Sequence, residues 1–159
     1  MARLYFAYGS NMSRAQMAAR CPGARPLGPA RLDGWAFFIN QRGTASIRPS
    51  LGNAVWGVVW RIQPQHRGVL DHYEGVRLRR YLVRDVTLET GQGRLRAFAY
   101  AGTQTSEGKP VRAYLEGVVI PAARAWDLPE PYVSELTGWF RSRPIGPARP
   151  RAPGRSWKP

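Results

Sequence analysis

Glu74 is the residue of this chain best placed for acid/base chemistry, because it stands directly before Gly75 at the predicted end of a short helix. Glycine readily takes the left-handed conformation that ends many helices. Such a turn fixes Glu74 at a helix terminus, from which its side chain can point inward. From the residues alone, one alternative stays open: Glu74 is a solvated carboxylate in a turn, as most glutamates are.

A second stretch that could do chemistry lies near the N-terminus, where a short apolar strand at residues 4–8 meets Gly9. We expect Gly9 to allow a turn that would strain other residues. Residues 13–16, Ser-Arg-Ala-Gln, form a capping-box pattern that opens a short helix. The loop between strand and helix would then present several backbone N–H groups, which can bind a carboxylate or a developing oxyanion. The alternative is a strand–turn–helix junction with nothing bound.

The other residues of types common in catalysis give weaker evidence of a functional site. Cys21 is the single cysteine, and with His66 and His72 it does not make a pattern for zinc. A Cys21 nucleophile would need an activating base, so we expect Cys21 to be a small structural residue and His72 to be solvated. Asp71 either supports the turn after the helix or lies in solvent. Neither a phosphate-binding loop nor a dinucleotide fingerprint is present in the sequence.

Hydrophobic patterning predicts the elements that position these residues. Strands are predicted at residues 4–8, 30–40, 44–48, 54–62, 81–90 and 94–100. Helices are predicted after Ser13 and at residues 64–74, 110–119 and 130–140, with a loop at 24–28, a turn at 49–53 and a loop at 101–109. The sum is a mixed α/β (α+β) domain of five or six mostly antiparallel strands. Periodicity does not distinguish a closed barrel from an open sheet.

Two motifs in one chain resemble the γ-glutamylcyclotransferase family. They are Tyr8-Gly9-Ser10-Asn11 after the first strand and Glu74-Gly75 after a short helix. Residues 55–60, Val-Trp-Gly-Val-Val-Trp, also resemble a central strand of that family. The resemblance covers about Tyr5 to Trp139. It implies a small, mostly antiparallel closed β-barrel with peripheral helices.

The resemblance also implies a reaction and a site. The α-amine of a γ-glutamyl amide or γ-glutamyl amino acid attacks its own γ-carbonyl, so that 5-oxoproline forms and the amine leaves. By resemblance Glu74 is the catalytic base. Substrate-binding residues carried over in the same way are Tyr8, Gly9, Ser10, Asn11, Tyr81 and Tyr114. Ordinary core or rim positions remain the alternative for Tyr81 and Tyr114. The implied chemistry needs no metal and no cofactor.

One departure from the family's sequence pattern leaves the identity of the substrate open. Residues 43–47 match the glycine-rich strand of eukaryotic family members only loosely. The leaving group is therefore left between amino acids, amines and antibiotic intermediates.

Composition limits the class of protein and the partners that it can have. The chain has 159 residues, 43% of them hydrophobic, which fits one packed domain, and we place it at residues 1–140. Residues 141–159 are rich in arginine and proline and are expected to form a flexible basic tail. They contribute to a net charge of +14. The alternatives are a non-catalytic binding module of the same fold and nucleic-acid binding through the tail. A cytoplasmic protein without a membrane partner is expected, and a homodimer is left open.

Overall fold

Five strands form a closed barrel in the computed structural model, which describes residues 3–141. The strands are β1 (Arg3–Ala7), β2 (Arg25–Ile39), β3 (Ala45–Ile62), β4 (Tyr81–Thr90) and β5 (Gly93–Gly102). Their order around the barrel is β1, β3, β2, β4, β5. Neighbouring strands pair antiparallel except β1 and β5, which pair in parallel at Tyr5 and Phe98. The predicted closed, mostly antiparallel barrel is confirmed.

Two sequence predictions about β2 and β3 were wrong. The expected loop at residues 24–28 is mostly strand, since β2 begins at Arg25. The expected turn at residues 49–53 lies inside β3. Ala54 pairs with Asp33 and Pro49 pairs with Trp35, so the four intervening residues of β3 bulge outward opposite a single residue of β2. The residues that are typical of a turn are thus accommodated in a continuous pair of strands.

The helices mostly follow the sequence prediction. They are α1 (Arg14–Arg20), α2 (Pro64–Tyr73), α3 (Arg112–Tyr114), α4 (Ile120–Ala125) and α5 (Glu130–Gly138), with a π-helical turn at Leu115–Val119 that joins α3 to α4. The helix predicted at 110–119 therefore starts later and runs further. It starts later because the Val111 amide donates to the Gly43 carbonyl at 3.0 Å, which keeps Val111 extended before the helix.

Aromatic side chains join the barrel seam to the surrounding elements. The rings of Tyr5 and Phe98 stack at a centroid distance of 5.4 Å, where β1 meets β5. Tyr100 meets both rings edge-on, each at a centroid distance of 5.7 Å. Such aromatic contacts add to the stabilisation from burial. They keep β1, which leads into the Gly9 loop, fixed against β5.

In the described part of the chain, none of the helices has the length and apolar character needed to cross a membrane. The basic tail expected at 141–159 lies outside the described residues apart from Arg141.

Candidate active site

Glu74 lies at the C-terminus of α2, as the sequence predicted. The Glu74 amide donates to the Leu70 carbonyl at 2.9 Å, and the Gly75 amide donates to the His72 carbonyl at 3.1 Å. Gly75 has a φ of +64°, in the left-handed region that favours glycine. The Arg80 amide returns to the Gly75 carbonyl at 3.1 Å and closes the turn. The backbone of Glu74 is therefore held on both sides.

The N-terminus of α2 is fixed by His66, which sequence reasoning left without a role. The Gln63 amide donates to His66 Nδ1 at 3.0 Å, and His66 Nε2 lies 2.8 Å from the Pro22 carbonyl oxygen. One ring nitrogen accepts and the other donates, which is the pattern of a neutral imidazole. His66 thus ties α2 to the residues that follow α1 and has a structural task.

Glu74 has a half-buried side chain that faces four buried tyrosines. The carboxylate interacts electrostatically with the hydroxyls of Tyr5, Tyr8, Tyr81 and Tyr114. Burial raises the pKa of Glu74 from its usual 4.5 to about 7, and the positive charge of Arg20 works in the opposite direction. A carboxyl group with this pKa exchanges a proton readily near neutral pH.

The four tyrosines remain protonated at neutral pH. Burial is the largest cause of the raised pKa of each hydroxyl, and the Glu74 carboxylate raises each pKa further. Each of these hydroxyls therefore keeps its proton and adds no negative charge beside Glu74.

The predicted site tyrosines Tyr81 and Tyr114 both bond to the backbone of one residue, Ala45. The Tyr81 hydroxyl donates to the Ala45 carbonyl at 2.6 Å, and the Ala45 amide donates to the Tyr114 hydroxyl at 3.2 Å. Asn40 Nδ2 donates to the Tyr81 hydroxyl at 2.9 Å. Both hydroxyls are thereby held at the start of β3, on the side that faces Glu74.

The loop predicted to bind substrate contains a 3-10 turn at Ser10–Met12. The Met12 amide donates to the Gly9 carbonyl at 3.1 Å, and the Ser13 amide donates to the Ser10 carbonyl at 3.0 Å. These two amides are used within the loop, whereas the Ser10 amide faces the Tyr114 hydroxyl. The N–H groups at the start of the loop, rather than all of them, are the candidates for holding a substrate oxygen.

Gly9 is required for a different reason from the one expected. Its φ is −113°, outside the left-handed region. A Cβ at this position would lie 2.7 Å from the Tyr114 hydroxyl oxygen and 3.4 Å from the Ala45 Cβ. The close approach of the loop to Tyr114 excludes a side chain here.

Side-chain hydrogen bonds hold the loop on α1. Gln16 Nε2 donates to Ser10 Oγ at 2.5 Å and to Asn11 Oδ1 at 3.0 Å. Ser13 Oγ accepts from the Gln16 amide at 3.2 Å, which is half of the predicted capping box. The other half is replaced, since the Gln16 side chain bonds to the loop instead of returning to Ser13.

The side chain of Asn11 is buried, and both its nitrogen and its oxygen form hydrogen bonds within the protein. Its Nδ2 donates to the Tyr5 hydroxyl at 3.1 Å, and its Oδ1 also accepts from Arg20 Nη1 at 3.0 Å. The side chains of Ser10 and Asn11 thus shape the loop. Their predicted contact with substrate stays a prediction.

Sequence reasoning missed several residues of this site. Tyr5 and Arg20 interact with Glu74, while Asn40 orients Tyr81. The Tyr8 hydroxyl donates to the carbonyl of Tyr100, whose own hydroxyl donates to Asp71 Oδ1 at 2.6 Å. Successive side chains of a strand point to opposite faces of the sheet, so the sequence could have indicated that Tyr5 and Phe6 lie on opposite faces of the first strand.

The remaining candidates take structural or surface positions. Cys21 is buried at the end of α1, and burial raises the pKa of its thiol. His72 is exposed. Asp71 forms an ion pair with Arg67 at 2.8 Å and accepts from Tyr100, so it supports the helix that carries Glu74. Within residues 3–141, no group of three or more His, Cys, Asp or Glu side chains could hold a metal ion.

The sequence and the fold match one family of known proteins. Residues 54–136 match the model of the AIG2-like family. Human γ-glutamylcyclotransferase is 32% identical over 144 residues, which cover 84% of this chain and 76% of the human protein. The mouse γ-glutamylcyclotransferase is 33% identical with the same coverage. A solved structure named γ-glutamyl cyclotransferase has a TM-score of 0.80 and 30% identity, covering 86% of this chain and 87% of its own. The chain therefore belongs to the AIG2-like, γ-glutamylcyclotransferase family and is an enzyme of γ-glutamylcyclotransferase type.

Proposed function

We propose that this protein releases 5-oxoproline from a γ-glutamyl amide or γ-glutamyl amino acid, with Glu74 as the catalytic base. The observation that carries the proposal is Glu74 itself, a half-buried carboxyl with a pKa of about 7 among four protonated tyrosines. Its place at the end of α2 is that of the Glu-Gly motif which links the chain to the family.

The reaction needs a base because the substrate's α-amino group is an ammonium ion near neutral pH. Glu74 takes one proton from the ammonium, and the free amine attacks the γ-carbonyl carbon of the same molecule. The bond between the γ-carbon and the leaving nitrogen then breaks, and Glu74 returns the proton to that nitrogen. The second proton that the attacking nitrogen loses on ring closure also passes to the leaving nitrogen, which departs as an ammonium ion. Because nucleophile and carbonyl belong to one molecule, the protein contributes mainly by holding the reactive conformer.

The rest of the site supports this chemistry. The N–H groups at the start of the Gly9 loop can donate to the γ-carbonyl oxygen as negative charge develops there. Tyr114 can donate a hydrogen bond to the substrate, since its raised pKa keeps it protonated and its hydroxyl accepts from the Ala45 amide. Tyr8 and Tyr81 use their protons on backbone carbonyls and can accept hydrogen bonds. The predicted substrate-binding set of Tyr8, Gly9, Ser10, Asn11, Tyr81 and Tyr114 is retained in this proposal. The proposed steps use side chains and backbone groups of this chain.

The substrate is a small γ-glutamyl compound, and the basic character of the chain favours acidic molecules of this kind. γ-Glutamyl amino acids are the first choice, which would give the enzyme a part in glutathione metabolism. We further propose a cytoplasmic location, and a homodimer is compatible with this function.

The test is a screen of γ-glutamyl dipeptides and γ-glutamyl amines for 5-oxoproline release by the purified protein. The matched control for each compound is its α-N-acetyl derivative, in which the internal nucleophile is blocked. We expect 5-oxoproline from at least one free compound and none from its acetylated counterpart. Release from both, or from neither across the whole screen, would contradict the proposal.

A further inference from the structure

Arg20, at the end of α1, lies between the Gly9 loop and the end of α2. Its Nη1 donates to Asn11 Oδ1 at 3.0 Å. The carbon of its guanidinium group lies 4.0 Å from the centre of the Tyr73 ring, the geometry of a cation–π contact. Its Nε is buried and lacks a hydrogen-bond partner among the described residues. A guanidinium group held at one edge by a hydrogen bond and on one face by a ring has little freedom to move.

The two partners of Arg20 are the two parts of the site that must stay in register. Asn11 belongs to the loop and also donates to the Tyr5 hydroxyl at 3.1 Å. Tyr73 is the last residue of α2 and is bonded covalently to Glu74. Arg20 therefore connects the loop to the end of α2, next to the residue that carries the carboxyl group.

We propose that Arg20 is a positioning residue for Glu74, which holds the loop against the end of α2 and keeps a positive charge beside the carboxylate. The inference rests on the proposed function, in which Glu74 is the base. It adds a residue that acts through Glu74 and not on the substrate.

The groups that face Glu74 show what this charge does. The four tyrosines that interact with Glu74 are uncharged at neutral pH, and the interaction with Arg20 is the one that favours the carboxylate. Burial raises the pKa of Glu74 while Arg20 lowers it, and the balance lies at about 7. Without Arg20, a larger share of Glu74 would be protonated at neutral pH and unable to act as a base.

The test compares Arg20→Gln and Arg20→Lys with the wild type. The pKa of Glu74 is measured by carbon-13 NMR of its side-chain carboxyl, assigned with Glu74→Gln, and the acid limb of kcat/KM against pH is measured alongside. We expect Arg20→Gln to raise the pKa by about one pH unit, as loss of a nearby opposite charge does. The acid limb should move up equally, and Arg20→Lys should restore most of the wild-type midpoint.

Arg14→Gln is the matched control. Arg14 lies on the same helix, and its guanidinium carbon is 3.7 Å from the centre of the Trp126 ring. The control removes a cation–π contact of the same type away from Glu74, and we expect it to leave the pKa and the pH profile unchanged. Tyr73→Ala is a second variant, at a side chain that is 52% exposed, for the case that Arg20→Gln does not fold. It should raise the pKa of Glu74 by a smaller amount.

An unchanged pKa of Glu74 in folded Arg20→Gln, or in Tyr73→Ala if the first variant does not fold, would overturn the inference. The NMR measurement does not depend on turnover, so it can support the pairing even if the proposed reaction is wrong. A direct contact between Arg20 and the substrate would give a different kinetic result. If Arg20→Gln slows a γ-glutamyl substrate but not its α-carboxamide analogue, Arg20 binds the substrate carboxylate and the positioning role is wrong.

Discussion

The Tyr114 hydroxyl oxygen lies 2.7 Å from the point where a Cβ on Gly9 would be. A real Cβ does not approach an oxygen so closely, and so the loop or Tyr114 would have to move if Gly9 carried a side chain. The same hydroxyl accepts from the Ala45 amide at 3.2 Å, which limits how far Tyr114 can retreat. The Gly9 loop and Tyr114 are therefore placed by each other.

Gly9→Ala should slow 5-oxoproline formation by about tenfold or more, because small displacements of positioning groups are costly to a reaction that depends on alignment. The steady-state rate and the melting temperature are measured together. The control is Gly68→Ala on α2, where an added Cβ meets nothing within 4 Å. Wild-type turnover in Gly9→Ala would show that the contact with Tyr114 is unimportant.

Local sequence signals were sufficient to predict where α2 lies and that Glu74 and Gly75 end it. A proline at the start, a helical face and a left-handed glycine all lie within one short segment. They were insufficient for residues 49–53. Proline and glycine normally end a strand, but here Pro49 pairs with Trp35 and Gly52 lies in a bulge opposite β2, so long-range pairing decided the outcome. Pairing between distant segments is not visible in a local pattern.

The residues of the candidate site also fall into those that local motifs indicated and those that long-range contacts bring in. Glu74 and the Gly9 loop are contiguous motifs. Three other side chains join the site through partners that are distant in sequence: Asn40 bonds to Tyr81, Tyr100 to Asp71 and Arg20 to Asn11, at separations of 41, 29 and 9 positions. Family resemblance supplied Tyr81 and Tyr114 as site residues. Their shared contact with Ala45 depends on how β3, β4 and α3 pack together and could not be read from spacing.

Cys21→Ser should keep its activity. The proposed mechanism uses no thiol, and burial raises the pKa of Cys21, which disfavours a thiolate. Placing a hydroxyl in this buried position should cost about 1–2 kcal/mol of unfolding free energy. Turnover and urea denaturation of the variant are the measurements. A folded Cys21→Ser protein without turnover would overturn the amine-attack mechanism.

Glu74 should make stability depend on pH. Its folded pKa of about 7 is above its usual 4.5, so its contribution to stability is fully present below about pH 4.5 and is lost as the pH rises through 7. Glu74→Gln cannot ionise. We expect the stability of the variant relative to wild type to increase by about 1–2 kcal/mol between pH 5 and pH 8, with solvent screening allowed for. Urea denaturation at both pH values measures it, and a constant difference would show that Glu74 is not held in a desolvated place.

The most direct test of the account is the rate of 5-oxoproline formation by Glu74→Gln on the best substrate, with binding followed separately by calorimetry. Glutamine keeps the size and much of the hydrogen bonding of glutamate but cannot take a proton from an ammonium ion. We predict that the variant binds substrate and that its rate falls by roughly a hundredfold or more, as expected for loss of a positioned base. Wild-type turnover in a folded Glu74→Gln protein would mean that Glu74 is not the base.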